Sequence, residues 1–260
     1  MTQQQELSYQ ALIDALEPVA REAGAKIMEI YGTDAQADFK GDGSPVTLAD
    51  KAAEAVILAA LKRIAPDVTV ISEENAASHA LAAPAQFFLV DPLDGTKEFL
   101  KRDGKGSFTV NIALIEHGVP VMGVVFAPAL DRMFSGGKGI GAFESRDGTR
   151  RAMQVRAVPA SGRVAVASAS HRDAQTDAWL AGQGITDTVS IGSSLKFCLV
   201  AAGEADVYPR FGPTMEWDTG AGDAVLRAAG GRLCLPDDSA FDYGKPDYRN
   251  GAFVAWGAAG

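Results

Sequence analysis

The chain has 260 residues, of which 47% are hydrophobic and 22% charged, and its formal net charge is −9. This length and composition predict a globular protein with a sizeable core, formed by one large domain or by two closely packed halves. So acidic a chain is a poor partner for nucleic-acid polymers, whose binding depends on clustered Lys and Arg, but a small anion can bind where a metal ion inverts the local field.

Cysteine and histidine usage argues against a disulfide scaffold or a zinc cluster. Cys198 and Cys234 stand far apart and outside any CxxC pattern. His79, His117 and His171 have no metal-ligand spacing and are interpreted as ordinary surface or loop residues. The first residues lack a secretory signal, and no apolar run approaches the roughly 18 residues of a membrane-spanning helix. We therefore expect a cytoplasmic protein, with peripheral contact at the cytoplasmic face of the inner membrane left open.

The N-terminal half is predicted to combine two amphipathic helices with several strands. Apolar residues at three- to four-residue spacing predict helices over residues 5–32, with Gly32 as a stop and Pro18 as a candidate kink, and over residues 48–65. The polar stretch 40–45 predicts a turn. Strands are expected at residues 68–72, 87–91, 108–116, 121–127, 133–134 and 142–143, the last four as two hairpins.

Beyond Pro159 strands and helices alternate. Strands are predicted at residues 164–167, 188–191, 207–209, 233–235 and 253–256, with helices at 174–183, 194–202 and 219–229. This alternation is typical of a layered α/β unit. The sequence therefore predicts an α+β half over residues 1–155 and an α/β half over residues 156–260.

Acidic residues stand where predicted helices begin or predicted strands end: Asp50, Glu73, Glu74, Asp91, Asp94 and Asp218. α/β folds place ligand groups at such positions, and Mg²⁺ prefers carboxylate and carbonyl oxygens. Several carboxylates meeting at one point would repel without a cation. Convergence of these side chains would therefore imply a metal site.

Each acidic position also has a structural alternative. Asp50 is the fourth residue of a Thr-x-x-Asp capping box begun by Thr47, Glu73-Glu74 fits a solvated turn, and Asp218 fits a favourable charge near a helix start. The segment Asp91-Pro92-Leu93-Asp94-Gly95-Thr96 differs from these. Its Pro and Gly fix the backbone while two acids flank an apolar residue, which favours a functional role.

Two competing motifs fail. The glycine-rich segment 137–142 loosely matches a dinucleotide fingerprint, but residues 143–148 are predicted as a turn, so no helix follows. The segment 41–44 lacks the Gly-Lys-Ser/Thr of a P-loop. No Ser, Cys or His stands in a recognisable nucleophile elbow.

Three motifs in combination resemble those of a known family: Ser72-Glu73-Glu74, Asp91-Pro92-Leu93-Asp94-Gly95-Thr96 and Trp217-Asp218-x-Gly220-Ala221-Gly222. The family is that of the lithium-sensitive, Mg²⁺-dependent phosphatases of the inositol monophosphatase and fructose-1,6-bisphosphatase superfamily. The resemblance covers nearly the whole chain and implies a layered α/β/α/β/α sandwich. Lys97-Glu98-Phe99 resembles the 3′(2′),5′-bisphosphate nucleotidase branch, whereas inositol monophosphatases usually carry Thr-Asn-Phe there. The segments 192–197 and 208–210 resemble the same branch.

The resemblance implies a role for each matching residue and two or three bound Mg²⁺ ions. Glu73, Asp91 and the carbonyl of Leu93 would hold the first ion, and Asp91, Asp94 and Asp218 the second. Asp50 and Glu73 would support a weaker third ion or its waters. Thr96, hydrogen-bonded to Asp50, would activate the attacking water without a covalent enzyme intermediate. The N–H groups of Gly95 and Thr96 would hold phosphate oxygens.

Residues for the rest of a substrate follow from the same resemblance: Lys97, Ser194, Lys196, Arg210 and Asp218. Lys97, Lys196 and Arg210 could meet a second phosphate, although a solvated surface charge is an equal alternative for each. The expected reaction is hydrolysis of adenosine 3′,5′-bisphosphate to AMP and phosphate, with its sulfated form as a further substrate, in sulfate assimilation.

The alternatives are an inositol- or sugar-phosphate phosphatase on the same metal site and a non-catalytic metal- or nucleotide-binding regulator. Li⁺ is expected to inhibit by occupying a metal position. A monomer and a homodimer are both compatible with the sequence.

Overall fold

The structure is a computed structural model that describes residues 8–32, 37–39, 45–101, 106–168 and 173–258. Residues 40–44 of the predicted polar turn and His171 lie outside the described residues. Seven α-helices are described: α1 Tyr9–Tyr31, α2 Leu48–Ile64, α3 Ala76–His79, α4 Thr96–Lys101, α5 Ala174–Gly182, α6 Leu195–Ala201 and α7 Gly220–Ala228. Helix α1 begins where the Ser8 hydroxyl accepts a hydrogen bond from Ala11 N, and its C-cap is Gly32, the predicted stop.

The first large sheet has seven strands in the order β3-β4-β5-β6-β7-β8-β9. Their bounds are β3 Thr69–Ser72, β4 Gln86–Asp94, β5 Thr109–Glu116, β6 Val119–Ala127, β7 Arg132–Gly137, β8 Gly141–Arg146 and β9 Thr149–Met153. Strands β3 and β4 are parallel, and every other neighbouring pair is antiparallel. A separate short pair, β1 Ala37–Phe39 and β2 Pro45–Thr47, precedes α2.

The second large sheet has five strands in the order β11-β10-β12-β16-β14. Their bounds are β10 Val164–Ser168, β11 Asp187–Ile191, β12 Val207–Arg210, β14 Arg232–Cys234 and β16 Phe253–Trp256. Strand β10 runs parallel to both β11 and β12, whereas β16 is antiparallel to its two neighbours. A short antiparallel pair is formed by β13 Thr214–Met215, shortly before α7, and β15 Arg249–Asn250, shortly before β16.

The elements stack in five layers, which confirms the predicted α/β/α/β/α sandwich. Helices α1 and α2 cover one face of the seven-stranded sheet, and α7 covers the other. Helix α6 packs on α7 and on the five-stranded sheet, whose outer face is covered by α5. Gly222 lets α6 approach α7 closely, because a Cβ there would lie 2.7 Å from the Phe197 ring. Two large apolar clusters fill the faces of the seven-stranded sheet.

The predicted hairpins are confirmed. In the first, β5 begins one residue later and β6 two residues earlier than predicted, and in the second both strands are longer than predicted. One prediction was wrong: residues 143–146 were expected in a turn but belong to β8, so the turn is confined to Asp147 and Gly148. The conclusion that no helix follows the glycine-rich segment holds. Strand β9 was not predicted, because four of its five residues are exposed and its sequence has no alternation of apolar and polar residues. Among the described residues, none of the helices is long and apolar enough to cross a bilayer.

Candidate active site

The parallel pairing of β3 and β4 sets two acidic residues side by side. Ser72 and Val90 are register partners, and Glu73 N donates to Val90 O at 3.1 Å. Glu73 therefore leaves the end of β3 beside Asp91 on β4. Neighbouring parallel strands present their carboxyl ends at one edge, where α/β folds bind ligands.

A bulge shapes the segment from Asp91 to Asp94. Asp91 pairs with Asn111 and Asp94 with Thr109, so the segment holds one more residue than the facing strand β5. The carboxylate of Asp91 accepts from Leu93 N at 3.0 Å, which fixes this irregular backbone.

Gly95 is required by the turn that follows the bulge. Its φ is +92°, and a Cβ there would lie 3.1 Å from the Ser107 carbonyl oxygen and 3.3 Å from Phe108 Cα. The chain then enters α4 at Thr96. The predicted phosphate-binding pair thus lies at a tight turn into a helix.

The Thr96 hydroxyl donates to the carbonyl of Leu93 at 3.3 Å. Asp50, on the first turn of α2, is buried at 2% exposure. The hydrogen bond between Thr96 and Asp50 implied by the resemblance stays a prediction.

Asp218 approaches from the C-terminal half. It ends a single 3₁₀ turn, Glu216–Asp218, directly before α7, and its Oδ2 accepts from Met215 N at 2.8 Å. The buried carboxylate of Glu216 accepts from Gly244 N at 2.8 Å and from Lys245 N at 2.9 Å, which ties this turn to the 244–245 loop. The turn therefore holds Asp218 toward the carboxylates of the seven-stranded sheet.

The carboxylates raise one another's pKa values. Burial, followed by the charges of Glu73, Asp94, Asp218 and Asp50, holds the pKa of Asp91 well above its usual range. Burial and the charges of Asp94 and Glu73 likewise raise the pKa of Asp218. Burial raises the pKa of Asp94 to about 6, against the opposing effects of Lys196 and the Ser194 N–H. Like charges interact this strongly only when they are close and poorly solvated.

The residues present fit a hard divalent cation. Asp91 Oδ2 is buried and, among the described residues, has no hydrogen-bond partner. Such an atom is costly unless a proton or a metal ion satisfies it. The surrounding carboxylates and the Leu93 carbonyl are the oxygen donors that Mg²⁺ prefers. Within the described ranges no three His, Cys, Asp or Glu side chains are already arranged as a metal-binding group. The fit therefore rests on the donor set and on the buried Oδ2 of Asp91, unpaired in that same part of the chain.

The cleft has a volume of about 630 Å³ and joins both halves of the chain. Its walls contain the predicted residues Glu73, Asp91, Leu93, Asp94, Gly95, Thr96, Lys97, Ser194, Lys196, Arg210 and Asp218. Asp50 does not line it, although its charge acts on Asp91. The cleft is large enough for a nucleotide-sized ligand.

Two buried cations line the same cleft as the carboxylates. Lys196 is 5% exposed and Arg210 is 8% exposed. Lys196 Nζ donates to Ser193 O and lies 5.2 Å from the centre of the Tyr208 ring, while Arg210 donates to the carbonyls of Gly212 and Pro213. Burial lowers the pKa of Lys196 to about 8, partly offset by Asp94.

The structure adds residues that the sequence analysis did not assign to the site. Glu98, Asp173 and Tyr208 line the cleft. Asp173 is the N-cap of α5, and its carboxylate accepts from Thr176 N at 2.7 Å. An acidic residue directly before a predicted helix is the sequence signal that marks this position. His79, interpreted from the sequence as an ordinary surface or loop residue, has a half-buried ring that is hydrogen-bonded to Ser72 O and stacked on Trp217.

Comparisons with known proteins agree with this geometry. Residues 8–258 match the inositol monophosphatase family. The chain is 49% identical over 225 residues to the 3′(2′),5′-bisphosphate nucleotidases CysQ of Shigella flexneri and of Escherichia coli K12, covering 85% of this chain and 89% of each relative. The crystal structure of CysQ from Bacteroides thetaiotaomicron, a bacterial member of the same family, superposes with a TM-score of 0.84 at 37% identity, covering 98% of this chain and 100% of that one. The chain therefore belongs to the inositol monophosphatase family.

Proposed function

We propose that the protein hydrolyses adenosine 3′,5′-bisphosphate to AMP and phosphate, and that it also accepts the sulfated form of this nucleotide. The observation that carries the proposal is a cleft lined both by carboxylates and by buried cations. Glu73, Asp91, Asp94 and Asp218 line it together with Lys196 and Arg210. A substrate with one phosphate to release at metal ions and another to bind at cations matches both sets of residues. The bisphosphate nucleotidases at 49% identity support this choice over an inositol or sugar phosphate.

In this proposal Glu73, Asp91, the Leu93 carbonyl, Asp94 and Asp218 hold two Mg²⁺ ions, with Asp50 and Glu73 supporting a third. Bound Mg²⁺ neutralises phosphate charge and acidifies water. The chain's own residues position the phosphate groups and the attacking water. Gly95 and Thr96 present backbone N–H groups to the phosphate that is released, and the Thr96 hydroxyl orients the attacking water with Asp50 behind it. Lys196 and Arg210, with Lys97 at the rim and Ser194 beside Asp94, bind the remaining phosphate.

The two halves of the chain, residues 1–155 and 156–260, have different tasks in this proposal. We propose that the first half supplies the metal and phosphate ligands, and that the second half completes the pocket with Asp218, Lys196 and Arg210. We also propose that the enzyme acts in the cytoplasm in sulfate assimilation, where the bisphosphate nucleotide is a by-product, and that Li⁺ inhibits it.

The test is phosphate release by the purified protein with Mg²⁺ from a panel of adenosine 3′,5′-bisphosphate, inositol-1-phosphate and fructose-1,6-bisphosphate. The expected result is a kcat/KM for the nucleotide at least about tenfold above the others, as one charge-assisted contact provides. Asp91→Asn and excess EDTA are the blanks. A preference for inositol-1-phosphate would transfer the proposal to the inositol phosphatases, and no release from any substrate would leave a non-catalytic binding protein.

A further inference from the structure

Residues of the short helix α3 hydrogen-bond to the backbone of Ser72, the residue directly before Glu73. The carbonyl of Ser72 accepts from Asn75 N at 3.1 Å and lies 2.8 Å from His79 Nε2. Because a carbonyl oxygen only accepts, Nε2 must carry the proton in this contact. Ser72 N in turn donates to Ser78 Oγ at 3.1 Å. His79, at the end of α3, therefore helps to fix the backbone of Ser72, which leads into Glu73.

The face of the His79 ring lies on Trp217. The ring centroids are 4.6 Å apart and the planes are inclined by 24°. Trp217 is buried at 4% exposure, and the next residue is Asp218. His79 thus contacts the residue before Glu73 with its edge and the residue before Asp218 with its face.

A second contact runs beside this one. The Tyr248 ring packs on Trp217 at 6.5 Å, and its hydroxyl donates to the carbonyl of Leu81 at 2.8 Å. The side chain of Ser72 also reaches α2, where its hydroxyl donates to Glu54 at 2.5 Å, one helical turn after Asp50. Three segments that carry acidic site residues consequently meet at Ser72 and His79.

The physical need for such a bridge follows from the charges. Glu73 and Asp218 come from different halves of the chain, and each raises the pKa of Asp91. Ionised carboxylates repel one another, so the spacing that suits a cation must be imposed by groups behind them. Residues that orient metal ligands are typically worth about 10- to 100-fold in metal affinity or activity.

We propose that His79 is a positioning residue that fixes the spacing of the Glu73 and Asp218 segments and thereby sets the affinity of the site for its divalent ion. The inference rests on the proposed function only in that the cleft holds such an ion. His79 is not among the residues that line the cleft. It acts through Ser72 on one side and through Trp217 on the other.

The experiment compares four variants of the full chain. His79→Ala removes both contacts, His79→Phe keeps the stacking, and His79→Gln keeps a hydrogen-bond donor. His117→Asn is the matched control, because it removes an exposed imidazole from the β5–β6 turn, where φ is +49° and Asn is tolerated. The probe is Mn²⁺ alone, which suits carboxylate ligands. Its binding is followed by the electron paramagnetic resonance signal of the free ion, without substrate.

His79→Ala is expected to weaken Mn²⁺ binding about tenfold, and the two single-contact variants less, while His117→Asn matches the wild type. Phosphate release by His79→Ala should need correspondingly more Mg²⁺ and approach the wild-type kcat at saturation. Mn²⁺ affinity equal to wild type in all three His79 variants would overturn the proposal, even if their melting temperatures fell. If the wild type binds Mn²⁺ but releases no phosphate from the nucleotide, the proposed function fails and the role of His79 still stands or falls on the binding data.

Discussion

The backbone N–H of Ser194 donates a hydrogen bond to Oδ2 of Asp94, across 100 residues of sequence. The Ser194 hydroxyl also donates to Asn111 Oδ1 and lies 2.8 Å from Thr109 Oγ1, both on β5. The start of α6 is therefore joined to the acidic turn of the seven-stranded sheet at several points. This contact fixes the start of α6, and with it Lys196 two residues later, relative to the carboxylates.

Asp94→Asn is expected to separate metal binding from stability. Loss of the charge should lower kcat/KM by at least about 100-fold, because a proposed ligand is removed. The metal-free variant should nevertheless melt higher than the wild type at pH 8. A carboxyl whose pKa is raised by folding destabilises the folded state as the pH rises above its unfolded pKa. For Asp94 this destabilisation is complete at pH values above the folded pKa of about 6. The gain should be on the order of 1 kcal/mol, a few degrees.

Calorimetric scans with and without Mg²⁺ measure both effects. The wild type should gain more thermal stability from Mg²⁺ than the variant does. Asn can still accept from Ser194 N, so the contact between the halves is retained. Equal Mg²⁺-dependent stabilisation of the two proteins would count against Asp94 as a ligand.

Thr96→Ala should lower kcat about 100- to 10,000-fold if the hydroxyl orients the attacking water, which is the range for a positioned acid–base group. Thr96→Ser keeps the hydroxyl and should retain most of the activity. Mn²⁺ affinity should change little in either variant, since the hydroxyl donates to the Leu93 carbonyl and is not itself a proposed ligand. Equal kcat in the Ala and Ser variants, measured at saturating Mg²⁺, would contradict this role.

Lys196→Met should raise KM for the bisphosphate nucleotide about tenfold or more, the value of one charge-assisted contact. Hydrolysis of p-nitrophenyl phosphate, which has no second phosphate, should change little. The cationic form of Lys196 dominates below its pKa of about 8 and is lost above it. The wild-type kcat/KM for the nucleotide should therefore fall as the pH rises through about 8, and the variant should lack this decline.

Lys138→Met is the matched control for the Lys196 variant, because Lys138 is exposed on the β7–β8 turn and lines no part of the cleft. It should leave both substrates and the pH profile unchanged. An equal rise in KM for both substrates in Lys196→Met would assign Lys196 to the phosphate that is released.

Asp206→Asn tests the anchor of the linker between the two sheets. Asp206 accepts from two nitrogens of Arg156 at 2.8 Å each and from Val164 N at 2.7 Å. Burial works to raise the pKa of Asp206, but these hydrogen bonds outweigh it and leave the pKa below its ordinary value. A carboxyl whose pKa is lowered by folding stabilises the folded state at pH values above its unfolded pKa. This stabilisation is lost as the pH falls through the folded pKa.

The variant should therefore lose about 2 kcal/mol of unfolding free energy at pH 7, with the difference shrinking below a pH of about 4. Urea titrations at several pH values measure this. Asp238→Asn, which breaks the exposed pair with Arg232, is the control and should cost less than about 1 kcal/mol. A pH-independent loss in Asp206→Asn would point to packing rather than charge.

Local patterns in the sequence predicted most of the long elements. Apolar residues at helical spacing marked α1, and continuous apolar runs marked β5 and β6, because burial on a sheet or a helix leaves a periodic trace in one segment. Short or polar elements have no such periodic pattern of apolar residues. Strand β9 is mostly exposed, and α4 has only six residues, too few to establish a helical period.

The sequence by itself determined the acidic turn at Asp91–Thr96, since its Pro, its Gly and its two carboxylates act over neighbouring residues. The tertiary structure alone decided what meets that turn. The parallel register of β3 and β4 brings Glu73 beside Asp91, the packing of α6 brings Ser194 to Asp94, and the stacking of His79 on Trp217 ties the segment of Glu73 to that of Asp218. Such contacts join segments far apart in the chain. They depend on strand register and on side-chain packing between layers, which no single stretch of sequence encodes.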